Sequence, residues 1–240
     1  MKISVLIVAH NEEKYIKKCI ESVLNQTKHP DEIVLLLHNS TDKTRETAES
    51  SPITIVPFNG PTGIVSARLE GLNHVGGDII LCIDGDSSAQ NNWVEVMADT
   101  LKKDNNIFVG SSVKFKGTIF GNIYNIFNKY SSLLKGQRLA YWIWGSNFGF
   151  WGKDKNLVQK ILKNSVSLSE KIGLPRNPED YWLALYMNRH GAIEKTSKTF
   201  TVANTKDTSS IKEISRRIES HKNRNLMRDY FNANLKKLPL

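Results

Sequence analysis

Asp84 and Asp86 stand one glycine apart where the apolar run of IILCIDGDSS (79–88) ends. Two carboxylates that close repel each other, by roughly 4 kcal/mol at 4 Å and an effective dielectric of about 20. A chain that brings a buried strand to such an end is expected to place a cation between them. Hard carboxylate oxygens with no Cys or His cluster nearby suit Mg²⁺ or Mn²⁺. Such an ion keeps positions open for phosphate oxygens, which points to a nucleotide diphosphate. An Asp-x-Asp pair also occurs in ordinary turns, so its setting matters more than its presence. No Gly-rich Walker loop and no G-x-G-x-x-G follows the first strand, which removes support from P-loop and dinucleotide readings.

The setting is an alternation of strands and helices. Residues 3–9, ISVLIVA, form an apolar β-branched run of buried-strand type. Asn11 offers a helix N-cap, with Glu12 and Glu13 suited to the helix dipole. Tyr15, Ile16, Cys19, Ile20, Val23 and Leu24 then make one apolar stripe at helical spacing. IVLLL (33–37), ITIVPF (53–58) and DIILCID (78–84) read as further strands, with helices over TRETAES and residues 64–75 between them. This order predicts a parallel sheet covered by helices on both faces. Ligands of such sheets bind at the carboxyl ends of strands, where His10, Asn11, Leu37, His38, Asn39 and Asp84–Asp86 all fall.

The second half is less regular. Asn92 is expected to cap a helix over WVEVMADTLKK, and IFVGSSVKF to form a strand. Residues 118–135 have a helical look, and YWIWGSNFGFWG (141–152) gathers three tryptophans among small residues. Helices are expected from Lys155 and over EDYWLALYMNRHG, the latter started by Pro178 and stopped by Gly191. AIEKTSKTFTVANT reads as a strand pair, and a basic terminal helix begins at about Ser210. With no internal repeat or low-complexity linker, one α/β domain over residues 1–205 is predicted. Residues 206–240 then form a basic helical extension of the same compact unit.

A chain of 240 residues with 40% hydrophobic and 24% charged side chains has the balance of a soluble globular protein with a sizeable core. No apolar run approaches the roughly 20 residues that span a bilayer. MKISVLIVAHNEE reads as a first strand and not as a leader. Cys19 and Cys82 both fall on apolar faces as small core residues, and the compartment expected is the cytoplasm. The net charge of +9 is uneven: from Lys195 onward eleven Lys/Arg face four Asp/Glu. That excess suits an anionic membrane surface, nucleic acid or a phosphorylated substrate, or simply a solvated basic helix.

Six stretches in order resemble the family 2 glycosyltransferases of GT-A fold: SVLIVAHNEEKYIKKCIESVLNQT, HNSTDKT, NGPTGIVSARLEGL, GGDIILCIDGDS, GSNFGF and PEDYWLALYMNRHG. They cover most of residues 1–191. The resemblance implies a Rossmann-like domain that transfers a sugar from a nucleotide donor with inversion. It places Val8, His10, Glu12, Asn39, Arg68 and Asp84 at the donor, and Asp86 as the carboxylate that ligates the metal, with Asp84 approaching the ribose or the ion. Arg68 is expected near the nucleotide or bracing the acid motif. Asp180 matches the general base, and its chemistry is sound: a hydroxyl attacking an anomeric carbon must lose a proton to a group within reach. Glu179 and Asp180 would otherwise serve only the dipole of their helix. One departure stands out. Where the family has an aspartate that bonds a uracil ring, this chain has Leu37, so Asn39 or backbone groups must read the base, or the base is different.

The resemblance puts Gly145, Ser146, Asn147 and Glu179 on the acceptor side, for a glycan or lipid-linked glycan. The 118–135 segment is a candidate lid, packed helix or peripheral membrane contact. The absence of a Gln-x-x-Arg-Trp pattern argues against a processive synthase. A nucleotidyltransferase would show a Gly-rich basic loop early in the chain, and VAHNEE is not one. A non-catalytic sugar- or nucleic-acid-binding protein would not need the acid motif, so no nucleic-acid partner is expected.

Overall fold

A computed structural model describes residues 1–103, 106–116, 147–174, 178–204 and 210–234. The first half follows the alternation read from the sequence. Strand β1 (Ile3–Ala9), helix α1 (Ile16–Leu24), β2 (Glu32–His38), α2 (Thr44–Ala48), β3 (Thr54–Phe58), α3 (Ile64–Asn73) and β4 (Ile79–Asp84) follow one another. A short strand β5 (Ser87–Ala89), helix α4 (Trp93–Leu101), β6 (Asn106–Lys116) and β7 (Asn147–Trp151) come next. Helices α5 (Lys155–Lys171) and α6 (Glu179–His190), strand β8 (Ala192–Asn204) and helix α7 (Ser210–Ala233) complete the described chain.

The eight strands form one sheet in the order β3-β2-β1-β4-β7-β6-β8-β5. β1 pairs in parallel with β2 and β4, and β2 with β3, while β7 runs antiparallel to both β4 and β6. Side chains alternate across this sheet and divide the core into two layers. Leu6, Val8, Leu36, Ile80 and Cys82 pack under α3, α5, α6 and α7. Ile7, Ala9, Leu35, Leu37, Leu81 and Ile83 pack under α1, α2 and α4. Each of the Val, Leu and Ile side chains among these, taken fully out of water, contributes about 1.5–3 kcal/mol. Both cysteines are buried and free, as their apolar settings predict.

Three expectations are corrected. Helix α1 begins at Ile16, five residues beyond Asn11. Asn11 takes a left-handed backbone (φ 55°), and its Oδ1 accepts from the amides of Thr41 (2.8 Å) and Asp42 (3.3 Å). It therefore braces the next loop and caps nothing in α1. Asn92 precedes α4 without capping it: its Oδ1 accepts from the Thr199 hydroxyl at 2.9 Å. That contact explains the third correction. The 192–204 segment is one bent strand, whose pairing with β6 jumps from Ser111↔Thr196 to Ser112↔Phe200 as the intervening residues bulge toward Asn92. The predicted helix over 118–135 lies outside the described residues. Helix α7 lies against α6, burying Met227 and Phe231 in the core, with the Phe231 ring edge-on to Tyr186 at 5.0 Å.

Candidate functional site

A cavity of about 290 Å³ opens at the carboxyl ends of the parallel strands. Val8, His10 and Glu12 reach it from β1, Asn39 from β2, and Asp84 and Asp86 from β4. Six positions picked from the sequence thus share one wall. The start of α3 closes the opposite side through Thr62, Gly63 and Ile64. Gly63 takes a φ of 116°, a conformation that side chains other than hydrogen disfavour. It lets the loop turn directly into α3, whose first amides have no partner within the helix.

The acid pair is held by its backbone. Gly85 N donates to the Val8 carbonyl at 2.8 Å, and a Cβ on Gly85 would lie 2.8 Å from the Cβ of Ala9. Only glycine lets the turn lie this close to β1. On the far side, the Asp86 carbonyl accepts from Asn204 twice, from its amide at 3.2 Å and from Nδ2 at 2.8 Å. The Asp84 carboxylate keeps 30% of its surface exposed, open to the cavity. Beneath it, burial and the charges of Asp86, Asp84 and Glu12 push the Cys19 thiol far above its ordinary range, so it is an inert neutral group. Among the described residues no group of three or more His, Cys, Asp or Glu is arranged to hold a metal by itself. Two carboxylates at an open cavity leave the remaining ligands to come from phosphate or water, which fits Mg²⁺ or Mn²⁺.

Arg68, on α3, is 2% exposed and bridges two acids. One guanidinium nitrogen donates to Asp84 Oδ1 at 3.0 Å, the other to Glu179 Oε1. Its plane lies over the Phe148 ring, 5.4 Å from the centroid. Burial alone would lower its pKa, but Glu179 and Asp84 outweigh that and keep the charge in place. Arg68 therefore braces the acid motif and does not line the cavity. Glu179 was expected at the acceptor, yet its side chain is 9% exposed and tied to Arg68. Burial pushes its carboxyl up to about 7 against the pull of Arg68, with Asp180 adding to the rise. Asp180 follows it in the first turn of α6, half-buried, its Oδ1 accepting from the Tyr181 amide at 2.8 Å.

Asn147 is also drawn inward. It is fully buried, its Oδ1 accepting from the Trp93 indole at 2.8 Å and its Nδ2 donating to Ser111, Ser112 and Thr201. Every polar atom of the amide is spent joining α4, β6 and β8, so it contacts no acceptor. Gly145 and Ser146 lie outside the described residues. The rest of NFGF is packing: Phe148 supports Arg68, and a Cβ on Gly149 would meet Leu81 at 2.4 Å. Trp151 donates to the Asn106 carbonyl at 2.9 Å.

His38, one of the strand-end positions, also lines the cavity. Alternation along β2 turns Leu37 into the layer under α1 and α2, and His38 into the cavity. The ring is 6% exposed and stacks on Phe58 with centroids 5.7 Å apart. Its Nε2 lies 2.9 Å from the Pro61 carbonyl, and its backbone carbonyl is 2.7 Å from His10 Nδ1. Asn39 follows at φ 47°, its amide donating to the Gly60 carbonyl. The period-two pattern separates His38 from Leu37: two residues beyond Leu36, it shares that residue's face.

Comparison with known proteins bears on the family and the fold. The family model described as "Glycosyl transferase family 2" matches residues 4–162, about two thirds of the chain. Among curated proteins, the glycosyltransferase AglE of Haloferax volcanii is 30% identical over 120 residues, which are 47% of this chain and 40% of that protein. Glycosyltransferase GlyA of Streptococcus pneumoniae is 30% identical over 100 residues, 40% of this chain and 14% of its own length. The chain thus spans less than half the length of these relatives. Among solved structures, S. aureus TarS 1-349 in complex with UDP-GlcNAc superposes with a TM-score of 0.63 at 18% identity, over 88% of this chain and 61% of that one.

Proposed function

The chain belongs to glycosyl transferase family 2, and from that premise we propose a metal-dependent, non-processive, inverting transfer of a sugar from a nucleotide-diphosphate donor to a hydroxyl of a glycan or lipid-linked glycan. The observation that carries this reading is one cavity in which both acids of the Asp-Gly-Asp turn meet the ends of β1 and β2, with Asp180 joined to that wall through Glu179 and Arg68. Asp86 and Asp84 would hold the Mg²⁺ or Mn²⁺, which supplies charge stabilisation for the departing diphosphate. Thr62, Gly63 and the first turn of α3 line the same cavity, where the unpaired amides of a helix start are a favourable place for phosphate oxygens.

His38 is suited to the nucleobase. Nε2 lies 2.9 Å from the Pro61 carbonyl and 3.1 Å from Asn39 Nδ2, which already serves the Gly60 carbonyl; in the tautomer that gives Nε2–H to Pro61, the ring offers a lone pair at Nδ1. Such an acceptor suits a base N–H, that of uracil N3 included. Asp180 takes the proton of the attacking hydroxyl, at the N-terminus of a helix whose dipole favours its anionic form. Among the described residues no helix is long and apolar enough to cross a membrane. Peripheral contact with the inner face of a membrane is part of this proposal.

The test is incubation of the purified protein with a panel of nucleotide sugars, with Mn²⁺ or with EDTA, following nucleoside diphosphate release. Release that depends on both one donor and the divalent ion supports the reading. Equal rates in EDTA, or no release with any donor and acceptor offered, would sink it.

A further inference from the structure

The Arg68 bridge has a property that neither of its acids has alone. The guanidinium is a planar fork with fixed angles between its donors, and here its two terminal nitrogens serve carboxylates from different parts of the fold. Asp84 ends β4 and belongs to the cation end of the cavity, whereas Glu179 opens α6. Glu179 is separated from Arg68 by 111 positions and from Asp84 by 95, so nothing local in the chain sets their spacing. The fork also has a rigid seat. It rests on Phe148, which stacks on Phe108 at 5.3 Å, and its stem leaves α3 between buried neighbours Ala67 and Leu72.

Resting on the reading above, we infer that Arg68 and Glu179 form a strut that sets the separation between the Asp-Gly-Asp turn and Asp180, making Glu179 a positioning residue that touches neither donor nor acceptor. The exposures agree: Asp84 keeps 30% of its side chain open, Glu179 only 9%. Asp180, the next residue in the same helical turn, moves wherever Glu179 is fixed. A reaction that needs a base at a set distance from a leaving group is sensitive to that separation, and a misplacement of about 1 Å can cost on the order of 10²-fold in rate.

The strut and a direct acceptor contact give different kinetics. In Glu179→Ala, kcat should fall about 100-fold, while the donor KM and the Mn²⁺ dissociation constant, read by electron paramagnetic resonance titration of the unreacting protein, stay within about threefold. Glu179→Gln keeps an oxygen that accepts from the guanidinium and should recover at least about tenfold of the loss. Arg68→Lys replaces the fork by a point charge that cannot serve both carboxylates and should behave like Glu179→Ala in kcat. Three results overturn the inference: a normal kcat in Glu179→Ala, a raised acceptor KM at unchanged kcat, or a Gln variant as slow as the Ala variant. Should Glu179→Ala fail to fold, Glu179→Asp takes its place. That variant keeps the charge and shortens the reach, so a reduced kcat with normal Mn²⁺ binding supports the strut and an unchanged kcat overturns it. A wild-type protein that binds Mn²⁺ yet transfers no sugar overturns the proposed function and the strut together. A transferring wild type with an unimpaired Glu179→Ala overturns the strut alone.

Discussion

At the scale of single residues, the acids divide into roles that substitution can separate. Asp86→Ala should abolish Mn²⁺ binding and turnover together, measured by resonance titration and diphosphate release. Asp180→Asn should leave donor binding intact and slow transfer by about 10²- to 10⁴-fold, the range of a lost general base. For His38, the informative comparison is the affinity of uridine diphosphate against its N3-methyl analogue. The wild type should prefer the unmethylated ligand, and His38→Phe should bind both alike; a preference that survives in the variant would remove His38 from the base. Glu179 adds a pH dependence. Its carboxyl is raised to about 7 by burial, facing Arg68, Asp180 and Asp84, so the fully charged strut is complete only above neutrality. A fall in kcat on acidification through about pH 7 is expected, and Glu179→Gln should remove that limb. Stability has the opposite sign. A carboxyl raised in the folded state favours folding while protonated, so this contribution is full below the ordinary carboxylate range and is lost as pH rises through about 7. The cavity acids, His10 and Asn39 were legible because polar residues at the ends of apolar strands have few other reasons to be there. Asn147 and Glu179 were not, since a buried amide or carboxylate reads in one dimension like an exposed one. Their partners, Trp93, Thr201 and Arg68, lie 54, 54 and 111 positions away.

Among the elements, the four parallel strands were legible because each is a short β-branched apolar run bounded by polar turns. The boundaries set by long-range contacts were not. Asn11 is a good cap in isolation, but Thr41 and Asp42 claim its oxygen and α1 starts a turn later. The bulge in β8 comes from Asn92 binding Thr199, 107 positions away. Close approach gives the element-scale prediction. Gly85→Ala would press a methyl onto Ala9, backbone and side chain, at the root of the acid turn. It should cost about 1–3 kcal/mol in urea unfolding and weaken Mn²⁺ binding with it. Gly149→Ala meets the end of the Leu81 side chain instead, so its cost should appear in stability with Mn²⁺ binding spared.

For the molecule as a whole, α7 is part of the core. Met227 is fully buried and Phe231 nearly so, against Tyr186 of α6. Phe231→Ala should therefore cost about 3–5 kcal/mol, measured by urea unfolding, although the residue does not line the cavity. Composition gave the basic character of this segment but not its packing, because the apolar positions of α7 are sparse among charges. The Asp86 carbonyl, meanwhile, is pinned by Asn204, the last residue of β8, while the family match ends at residue 162. An excised 1–162 piece would thus carry the Asp-Gly-Asp turn without the clasp that shapes it. Chimeras that graft a foreign C-terminal portion onto residues 1–162 would have to transplant an equivalent of Asn204, or begin with a slack loop at the end of β4.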